Sequence, residues 1–198
     1  GATSFVDSSG RGNNAICGSA SQCPTVGAPG GTYANGTAIG GGAQGPASDY
    51  AFTFNSNQYL RVPNNTTLAF DATRSFTWLT WVKTTVGSPL MRKGLGGAND
   101  LLLSITSDTG RLRMGFGNPT ATTLTATGPD LRDNQWHQVG VTLDRATNTA
   151  TLYVDGTARG SGGFTGSFVT TDDLFIGSSN AAGYVGALDN LQIYHSAL

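Results

Sequence analysis

The acidic residues of this chain are all aspartates, twelve in number, and the sequence contains no glutamate. Cleavage of glycosidic bonds uses two carboxyl groups, one as acid and one as nucleophile or base. Asp172 and Asp173 are adjacent, so in a strand their side chains point to opposite faces, whereas in a loop they face solvent or cap a turn. We therefore expect a protein that does not catalyse, with a glycosidase or lyase as the weaker alternative.

The two histidines offer no second route to catalysis. Neither His137 nor His195 lies near a Gly-x-Ser-x-Gly motif, in which a serine nucleophile is exposed on a sharp turn. We expect His137, beside Trp136, to be structural and His195 to be exposed. Residues 10–15 superficially fit a dinucleotide fingerprint, but no helix follows them, so the match carries no function.

The only cysteines, Cys17 and Cys23, lie in a loop rich in Gly, Ser and Pro. A zinc site needs a second pair of ligands, which this loop lacks. The sequence therefore favours a Cys17–Cys23 disulfide over two reduced thiols. Such a bond is typical of an oxidising compartment, and we expect an extracellular protein, secreted or on the cell surface.

Composition excludes other classes. The net charge is -1 with only two lysines, whereas nucleic-acid binding needs a basic stripe. No apolar stretch is long enough for a membrane span and no signal peptide is recognisable, so we expect a mature or excised fragment. The 29 glycines and 12% charged residues favour turns and strands over helices.

Alternating apolar residues predict an all-β fold with about a dozen short strands, suited to two packed sheets. Residues 1–49 read as loop because prolines and glycines interrupt them. We expect one domain, residues 1–198. Strands and hairpins are predicted at Trp136–Asp144 with Thr151–Gly156, Leu101–Ile105 with Leu112–Phe116, Phe164–Val169, Leu174–Gly177 and Leu188–Tyr194.

Four segments, taken in order, resemble the laminin-G-like branch of the concanavalin A-like lectin/glucanase superfamily. They are an early loop, Asp7–Asn14; a hairpin and tryptophan strand, Phe52–Pro63 and Phe76–Lys83; the Trp136–Asp144 and Thr151–Gly156 hairpin; and a closing strand, Gly186–Tyr194 with Ala197–Leu198. The resemblance implies a concanavalin A-like jelly-roll β-sandwich of two antiparallel sheets. Members usually begin with an apolar strand, for which only Ala2–Val6 is available here.

A calcium site is predicted where the first loop meets the last strand. Asp189 shares strand parity with Leu191 and Ile193, which places its carboxylate on the inward face, where an unpaired charge is costly. Asp7 adds a second carboxylate, and residues Gly10, Gly12 and Asn13 add main-chain oxygens, the ligands that Ca²⁺ selects. The resemblance implies the same structural calcium. In the alternative interpretation, Asp7 caps its own turn and Asp189 accepts backbone N–H groups at a bulge.

Sugar recognition needs an aromatic platform and planar polar groups, and we expect Tyr184, in a loop of small residues, to be the exposed aromatic. The full set of predicted ligand-binding residues is Tyr184, Asn180, Tyr59, Asn57, Arg92 and Asn118, with Tyr33, Tyr50, Trp78, Gln58, Asn99 and Arg132 as further candidates. Trp81 and Trp136 match the strand tryptophans of the family and are expected to pack.

The resulting functional prediction is a noncatalytic carbohydrate-binding module of a larger secreted or cell-surface protein. Its partner would be a carbohydrate or a glycoprotein, with other protein domains as further partners. The alternative is a structural or protein-interaction domain, an adhesin unit or spacer that binds no sugar, because a fold does not by itself fix a function.

Overall fold

A computed structural model of the protein describes residues 4–29, 50–95, 99–117, 122–168, 170–177 and 183–198. These residues form two antiparallel β-sheets that pack face to face, so the predicted jelly-roll sandwich is confirmed. Two short 3-10 helices, Ala20–Gln22 and Thr66–Leu68, lie in the connections.

The two sheets differ in size and both run antiparallel throughout. The eight-stranded sheet contains, in spatial order, β1 (Ser4–Phe5), β2 (Ala15–Ile16), β5 (Leu60–Val62), β14 (Leu174–Ile176), β7 (Pro89–Lys93), β8 (Leu101–Ile105), β9 (Leu112–Phe116) and β10 (Thr122–Thr125). The seven-stranded sheet contains β13 (Thr157–Gly163), β12 (Thr149–Val154), β11 (His137–Asp144), β6 (Phe76–Thr84), β15 (Gly186–Tyr194), β4 (Tyr50–Phe54) and β3 (Thr25–Pro29).

The core lies between the sheets because alternate side chains of each strand point to the same face. Val139, Val141 and Leu143 of β11 are inaccessible to solvent, as the sequence pattern predicted. Phe76 and Trp78 of β6 are also fully buried. Burying a side chain of this size contributes about 1.5–3 kcal/mol, so these central strands contribute substantially to stability.

The predicted hairpins are present. β11 pairs with β12, and the turn that follows β12 has positive φ angles at Asp155 (50°) and Gly156 (72°), as a primed turn requires. The Asp155 carboxylate also accepts a hydrogen bond from the backbone N–H of Gln138 at 2.9 Å. β8 and β9 have the predicted boundaries, Leu101–Ile105 and Leu112–Phe116.

One predicted strand is wrong. In its described part, residues 164–168, the predicted strand forms only a single bridge, between Phe168 and Phe70. Its carbonyl groups bind a side chain instead, because Arg145 donates to the carbonyl of Gly166 at 2.7 Å and to that of Phe164 at 3.5 Å. The guanidinium group of Arg145 therefore holds this segment together with two backbone hydrogen bonds, from Phe164 to the carbonyl of Asn148 and from Phe168 to that of Phe70.

The loop predicted for residues 1–49 also needs correction, because it contains β1, β2 and β3. β1 and β2 have two residues each and no fully buried side chain, so they are too short to show an alternation. β1 has only two residues, which agrees with the short first strand noted in the sequence. The Cys17–Cys23 disulfide is present, with its Cα atoms 5.3 Å apart, so that prediction is confirmed.

Candidate functional site

A row of three long side chains crosses the outer face of the eight-stranded sheet. In each of the strands β5, β14 and β7, one outward side chain lies between two buried residues. Arg61 lies between Leu60 and Val62, Phe175 between Leu174 and Ile176, and Arg92 between Met91 and Lys93. The strand register places Phe175 directly opposite Arg61 on one side and Arg92 on the other. We call Arg61, Phe175 and Arg92 the Arg-Phe-Arg row.

Each arginine of the row is fixed by a carboxylate. Arg61 Nη1 lies 2.6 Å from Asp173 Oδ2, and the Nε and Nη2 atoms of Arg92 lie 3.1 and 2.7 Å from Asp100 Oδ2. The Arg61 side chain is 43% exposed and that of Arg92 is 16% exposed. Charge-assisted bonds of this kind orient a guanidinium group strongly, so the row presents positioned donors beside an aromatic ring.

Two further residues extend this surface. The ring of Tyr59, just before β5, lies 6.1 Å from the ring of Phe175 between centroids, with a 55° tilt. On the other side, Leu102 lies opposite Arg92, and Gly115 lies opposite Leu102. A Cβ at Gly115 would meet only Leu102 atoms, at 3.9 Å. The glycine therefore leaves a shallow recess next to the row.

A buried lysine supports the row from beneath. Lys93, next to Arg92, is fully inaccessible and donates to Asn64 Oδ1 at 2.5 Å and to the carbonyl of Asp172. Burial lowers the pKa of Lys93, while the charges of Asp173 and Asp172 oppose the shift. Lys93 thus links two loops: the loop after β5, which contains Asn64, and the loop before β14, which contains Asp172.

Three of the predicted sugar-binding residues, Arg92, Tyr59 and Asn57, lie on this surface or in the turn that leads to it. Arg92 belongs to the row and Tyr59 packs on Phe175. Asn57 is exposed in the turn before Tyr59, where its backbone N–H donates to Asn55 Oδ1 at 3.2 Å. The predictions of Arg92 and Tyr59 therefore meet on one face of the molecule.

The prediction that Tyr184 is exposed is wrong. Tyr184 is 0% exposed, and its ring lies 5.9 Å from that of Phe54 in an edge-to-face contact. Its hydroxyl oxygen lies 3.0 Å from the carbonyl oxygens of both Lys83 and Ala187. Burial raises the pKa of the Tyr184 phenol. A ring enclosed in this way has no face available for a sugar.

The remaining sugar-binding candidates do not belong to the Arg-Phe-Arg row. Trp78 is fully buried and is excluded as a platform, whereas Trp81, at 7% exposed, and the half-buried Trp136 pack as expected. Gln58 accepts the backbone N–H of Asn55, and Arg132 pairs with Asp130 at 2.6 Å. Asn99 is exposed. The candidates Tyr33, Asn118 and Asn180, together with the side chain of Tyr50, lie outside the described part of the chain.

Sequence reasoning missed Arg61, Phe175, Asp100 and Asp173. The available signal was alternation, since Leu60-Arg61-Val62 and Leu174-Phe175-Ile176 each place one residue outward between two buried ones. What the sequence does not contain is the register that joins β5, β14 and β7, and that register brings the two arginines to either side of Phe175.

Three of the five predicted calcium residues, Asp7, Asn13 and Asp189, lie in the wall of a cavity of about 580 Å³ that opens at the first loop. Asp7 accepts hydrogen bonds from the backbone N–H groups of Ser9 and Asn13, at 2.9 and 3.0 Å, and from the Ser9 hydroxyl. The Ser9 hydroxyl and these amides lower the pKa of Asp7 against the effect of burial. These are the contacts expected from the alternative interpretation, in which Asp7 caps its own turn.

The parity argument for Asp189 is wrong, although Asp189 is buried, at 6% exposed. A bulge between Asp189 and Gln192, with Asn190 at φ 47°, breaks the alternation of β15. Asp189 therefore lies opposite Trp81 in the register, whereas Ile193 lies opposite the core residue Trp78. Its Oδ1 atom accepts the backbone N–H of Asn190 at 2.7 Å.

The donor set is nevertheless compatible with a hard cation. Asp7 and Asp189 both belong to the wall of the same cavity, and Gly10 and Gly12, with positive φ of 74° and 76°, shape the adjoining loop. No cluster of three or more His, Cys, Asp or Glu side chains occurs among the described residues. Any metal held here would need carbonyl and amide oxygens as well, which Ca²⁺ accepts.

Both histidines make contacts typical of structural residues. His137 lies between two aspartates, with Nδ1 2.8 Å from Asp155 and Nε2 3.3 Å from Asp133. Burial works to lower the pKa of His137, but the bonds and charges of the two aspartates outweigh it and raise the pKa. The predicted exposure of His195 is wrong: it is half-buried, bonded to the carbonyl of Thr67 and stacked on Phe70.

The loop aspartates also have structural partners. Asp173 Oδ1 accepts the backbone N–H of Asn64 at 2.7 Å while Oδ2 binds Arg61. Asp172 Oδ2 accepts the hydroxyl of Thr170 at 2.7 Å. Asp172 bonds within its own turn, as expected for a loop, whereas Asp173 pairs with Arg61, which the sequence did not predict.

Residues 54–198 match the laminin G family described as the concanavalin A-like lectin/glucanases superfamily. The match covers most of the chain, and the chain belongs to this family. No curated protein matches the sequence significantly.

Solved structures of the same fold include binding modules. The CBM40 of Ruminococcus gnavus IT-sialidase bound to alpha2,3 sialyllactose has a TM-score of 0.63 and 16% identity, covering 75% of this chain and 90% of that one. Domains LG4-5 of the mouse laminin alpha1 chain have a TM-score of 0.59 and 18% identity over 72% of this chain. This chain spans only 40% of the laminin chain. At these identities the similarity establishes the fold.

A further similar structure is the binding domain of Paraclostridial Mosquitocidal Protein 1, with a TM-score of 0.61 and 15% identity, covering 88% of this chain and 45% of that one. Within the described ranges, no helix has the length and apolarity needed to cross a membrane.

Proposed function

We propose that this chain is a noncatalytic carbohydrate-binding module and that it binds sugar on the Arg-Phe-Arg row. The observation that carries the proposal is the register of β5, β14 and β7, which places Phe175 between two guanidinium groups. Phe175, with Tyr59 packed beside it, offers an apolar ring surface to the C–H face of a pyranose. Arg61 and Arg92 offer planar N–H donors to its hydroxyl groups.

The row is organised before any ligand arrives. Asp173 and Asp100 hold the two guanidinium groups at 2.6 and 2.7 Å, and β-strands fix the backbone beneath them. Binding to groups already held in place costs less conformational entropy than ordering loose side chains. A weak, polar ligand such as a sugar gains most from this arrangement.

Two features support binding without catalysis. The chain has no Glu, and the two carboxylates of the surface, Asp100 and Asp173, are both engaged with arginines. Glycosidase chemistry needs a pair of carboxyl groups directed at the glycosidic bond, whereas these two bind guanidinium groups. The similar module that binds sialyllactose in Ruminococcus gnavus IT-sialidase agrees with a binding role.

We further propose that the protein works outside the cell, attached to or secreted with a larger polypeptide. The Cys17–Cys23 disulfide is of the kind that persists in oxidising compartments. Mouse laminin supplies an example of the fold in a longer chain.

The experiment is a glycan array followed by isothermal titration with the strongest glycan. Phe175→Ala removes the platform, and we expect affinity to fall about tenfold or more, equivalent to about 1.4 kcal/mol. Arg92→Gln removes a charged donor and should give a similar loss. Tyr153→Ala, on the opposite sheet, is the matched control and should bind like the wild type.

The outcomes separate the alternatives. If the protein binds no glycan on a broad panel, the structural or protein-interaction role replaces the proposal. If it binds a glycan but Phe175→Ala retains full affinity, sugar binding stands and the row is not its site.

A structural Ca²⁺ is a separate proposal. Asp7 and Asp189, two residues of one cavity wall, would supply carboxylate oxygens, and the main chain of Gly10, Gly12 and Asn13 would supply the rest. At a calcium concentration 100-fold above Kd, binding adds about 2.7 kcal/mol to stability, or roughly 5–10 °C in Tm. An unchanged Tm in EDTA, with no metal by elemental analysis, would remove the proposal.

A further inference from the structure

A lysine occupies an inward position on a central strand of the eight-stranded sheet, where its neighbours are apolar. Lys93 of β7 lies directly opposite Leu174 of β14 and Leu101 of β8, and these two leucines are at most 1% exposed. Lys93 itself is 0% exposed. An ammonium group in such surroundings is costly unless its charge is paired or removed. The choice of lysine at this position therefore needs an explanation.

The amine of Lys93 reaches the side-chain amide of Asn64. Nζ lies 2.5 Å from Asn64 Oδ1. Because a C=O bond is about 1.23 Å long, Nζ lies at most about 3.7 Å from the carbonyl carbon, Cγ. Bond formation between groups held in a protein starts from separations of about 3–3.5 Å. The amine therefore lies at or close to attacking distance of Cγ.

Further contacts hold the amine and the amide relative to each other. The backbone N–H of Asn64 donates to Asp173 Oδ1 at 2.7 Å, and Nζ of Lys93 also donates to the carbonyl of Asp172. Fixing a nucleophile beside a carbonyl carbon removes much of the entropic part of a reaction barrier. These contacts use the oxygen and the backbone N–H of Asn64, and none of them holds Nδ2, the group that would leave.

The surroundings of the amine suit it to act as a nucleophile. Burial lowers the pKa of Lys93, against the opposing charges of Asp173 and Asp172. A lysine desolvated in this way is activated because a larger fraction of it has a free lone pair. Asp173 Oδ1 already contacts Asn64, and a carboxylate beside the reacting groups can carry protons between them.

We propose that Lys93 and Asn64 join in a spontaneous intramolecular isopeptide bond. The ammonium proton of Lys93 passes to the Asp173 carboxylate, and the Nζ lone pair forms a bond to Asn64 Cγ. The bond between Cγ and Nδ2 breaks, a second proton passes from Nζ to Nδ2 through the same carboxyl group, and the nitrogen leaves with the first proton as ammonium. One ammonium and one primary amide thus give one secondary amide and free ammonium, with Asp173 restored as carboxylate.

The bond has two physical consequences. It replaces a buried cation by a neutral amide, which removes the cost of burying the charge. It also ties the loop after β5 to β7 across 29 positions of sequence, and a covalent link of this kind stabilises the fold by restricting the unfolded chain. Its formation needs no sugar, so the proposal does not rest on the proposed function.

The experiment is the intact mass of the whole protein, measured after the Cys17–Cys23 disulfide has been reduced. We expect a mass below that of the encoded sequence by one ammonia molecule. Trypsin should then release a branched peptide in which residues 62–74 are joined, through Asn64 and Lys93, to residues 93–111. Tandem mass spectrometry of this peptide locates the bond.

Two substitutions remove the reacting groups. Asn64→Ala changes an exposed residue and Lys93→Met keeps an apolar chain at the buried position, and both variants should have their encoded mass. Circular dichroism reports the fold of each, and Asn64→Ala gives the answer if Lys93→Met does not fold. Lys83→Met replaces the only other lysine and is the control, which should lose ammonia like the wild type. Most of a folded Asp173→Asn variant should keep its encoded mass, because it lacks the proton carrier.

The encoded mass for folded wild-type protein would overturn the proposal, and so would the absence of the branched peptide. A loss of ammonia that persists in Lys93→Met would also overturn it, because an asparagine can lose ammonia by cyclising onto its own backbone. Complete cross-linking of Asp173→Asn would overturn the assignment of the proton carrier. Failure of glycan binding does not change any of these outcomes, since the mass is measured without a ligand.

Discussion

Replacing Tyr184 by Phe tests the core of the sandwich at a single atom. The phenol oxygen lies 3.0 Å from the carbonyl oxygens of Lys83 and Ala187, in a residue that is 0% exposed. The variant retains the ring and its contact with Phe54 and loses only the donor. Leaving a buried carbonyl without its donor costs about 1–3 kcal/mol.

The magnitude is measurable in this chain. At roughly 2–4 °C per kcal/mol for a protein of this size, a loss near 2 kcal/mol lowers Tm by about 4–8 °C. Urea denaturation should show a lower midpoint with an unchanged m-value, because the surface exposed on unfolding is nearly the same. Tyr184→Ala, which also opens a cavity, should lose about 3–5 kcal/mol.

Tyr194→Phe is the matched control. Its hydroxyl donates to Gln192 Oε1 at 2.8 Å on a side chain that is 38% exposed, so water replaces the lost partner and the change should stay within about 0.5 kcal/mol. Equal stability of the Tyr184→Phe variant and the wild type would refute the assignment of Tyr184 to the core. Glycan affinity should not change in either variant, since neither residue belongs to the Arg-Phe-Arg row.

Three further predictions concern stability. The double substitution Cys17→Ser and Cys23→Ser opens a small loop and should lower the free energy of unfolding by about 2 kcal/mol, which a lower Tm would report. If reduction of the wild type leaves its stability unaltered, this prediction is contradicted. Because the pKa of His137 is raised in the folded protein, the histidine contributes its full stabilisation below the unfolded pKa near 6.5 and loses it as pH rises through the folded pKa. The free energy of unfolding changes by at most about 1.4 kcal/mol per pH unit in this window. The urea midpoints of the wild type and of His137→Gln should therefore converge towards alkaline pH, and a difference that stays constant with pH would argue against this role. Gly186→Ala places a Cβ 2.3 Å from the carbonyl oxygen of Lys83 at φ 146°, so the variant should lose several kcal/mol or fail to fold, and a normal Tm would show that this register is wrong.

Local pattern was sufficient where apolar residues alternate along a strand that a turn signal follows. Val139, Val141 and Leu143 alternate with half-buried or small residues, and Asp155-Gly156 has the turn chemistry of a primed turn, so the β11–β12 hairpin followed from residue types alone. β13 gave no such signal because this edge strand buries none of its residues and is rich in glycine.

The errors in site prediction have a common cause in long-range contacts. Tyr184 lies beside small residues, which suggested exposure, but Phe54 and the carbonyl of Lys83, far away in sequence, enclose it. Asp189 was placed by parity, and a bulge at Asn190 breaks that parity. A bulge and a strand register are properties of pairing between distant segments, which single-strand alternation does not contain.

The most direct test of the proposed sugar site is a set of amide NMR spectra recorded while the best glycan from an array is titrated into the protein. Binding on the Arg-Phe-Arg row predicts that the largest shift changes fall on β5, β14 and β7 and on the backbone of Tyr59. Changes centred on the seven-stranded sheet or on the Asp7 loop, with those three strands unaffected, would contradict it.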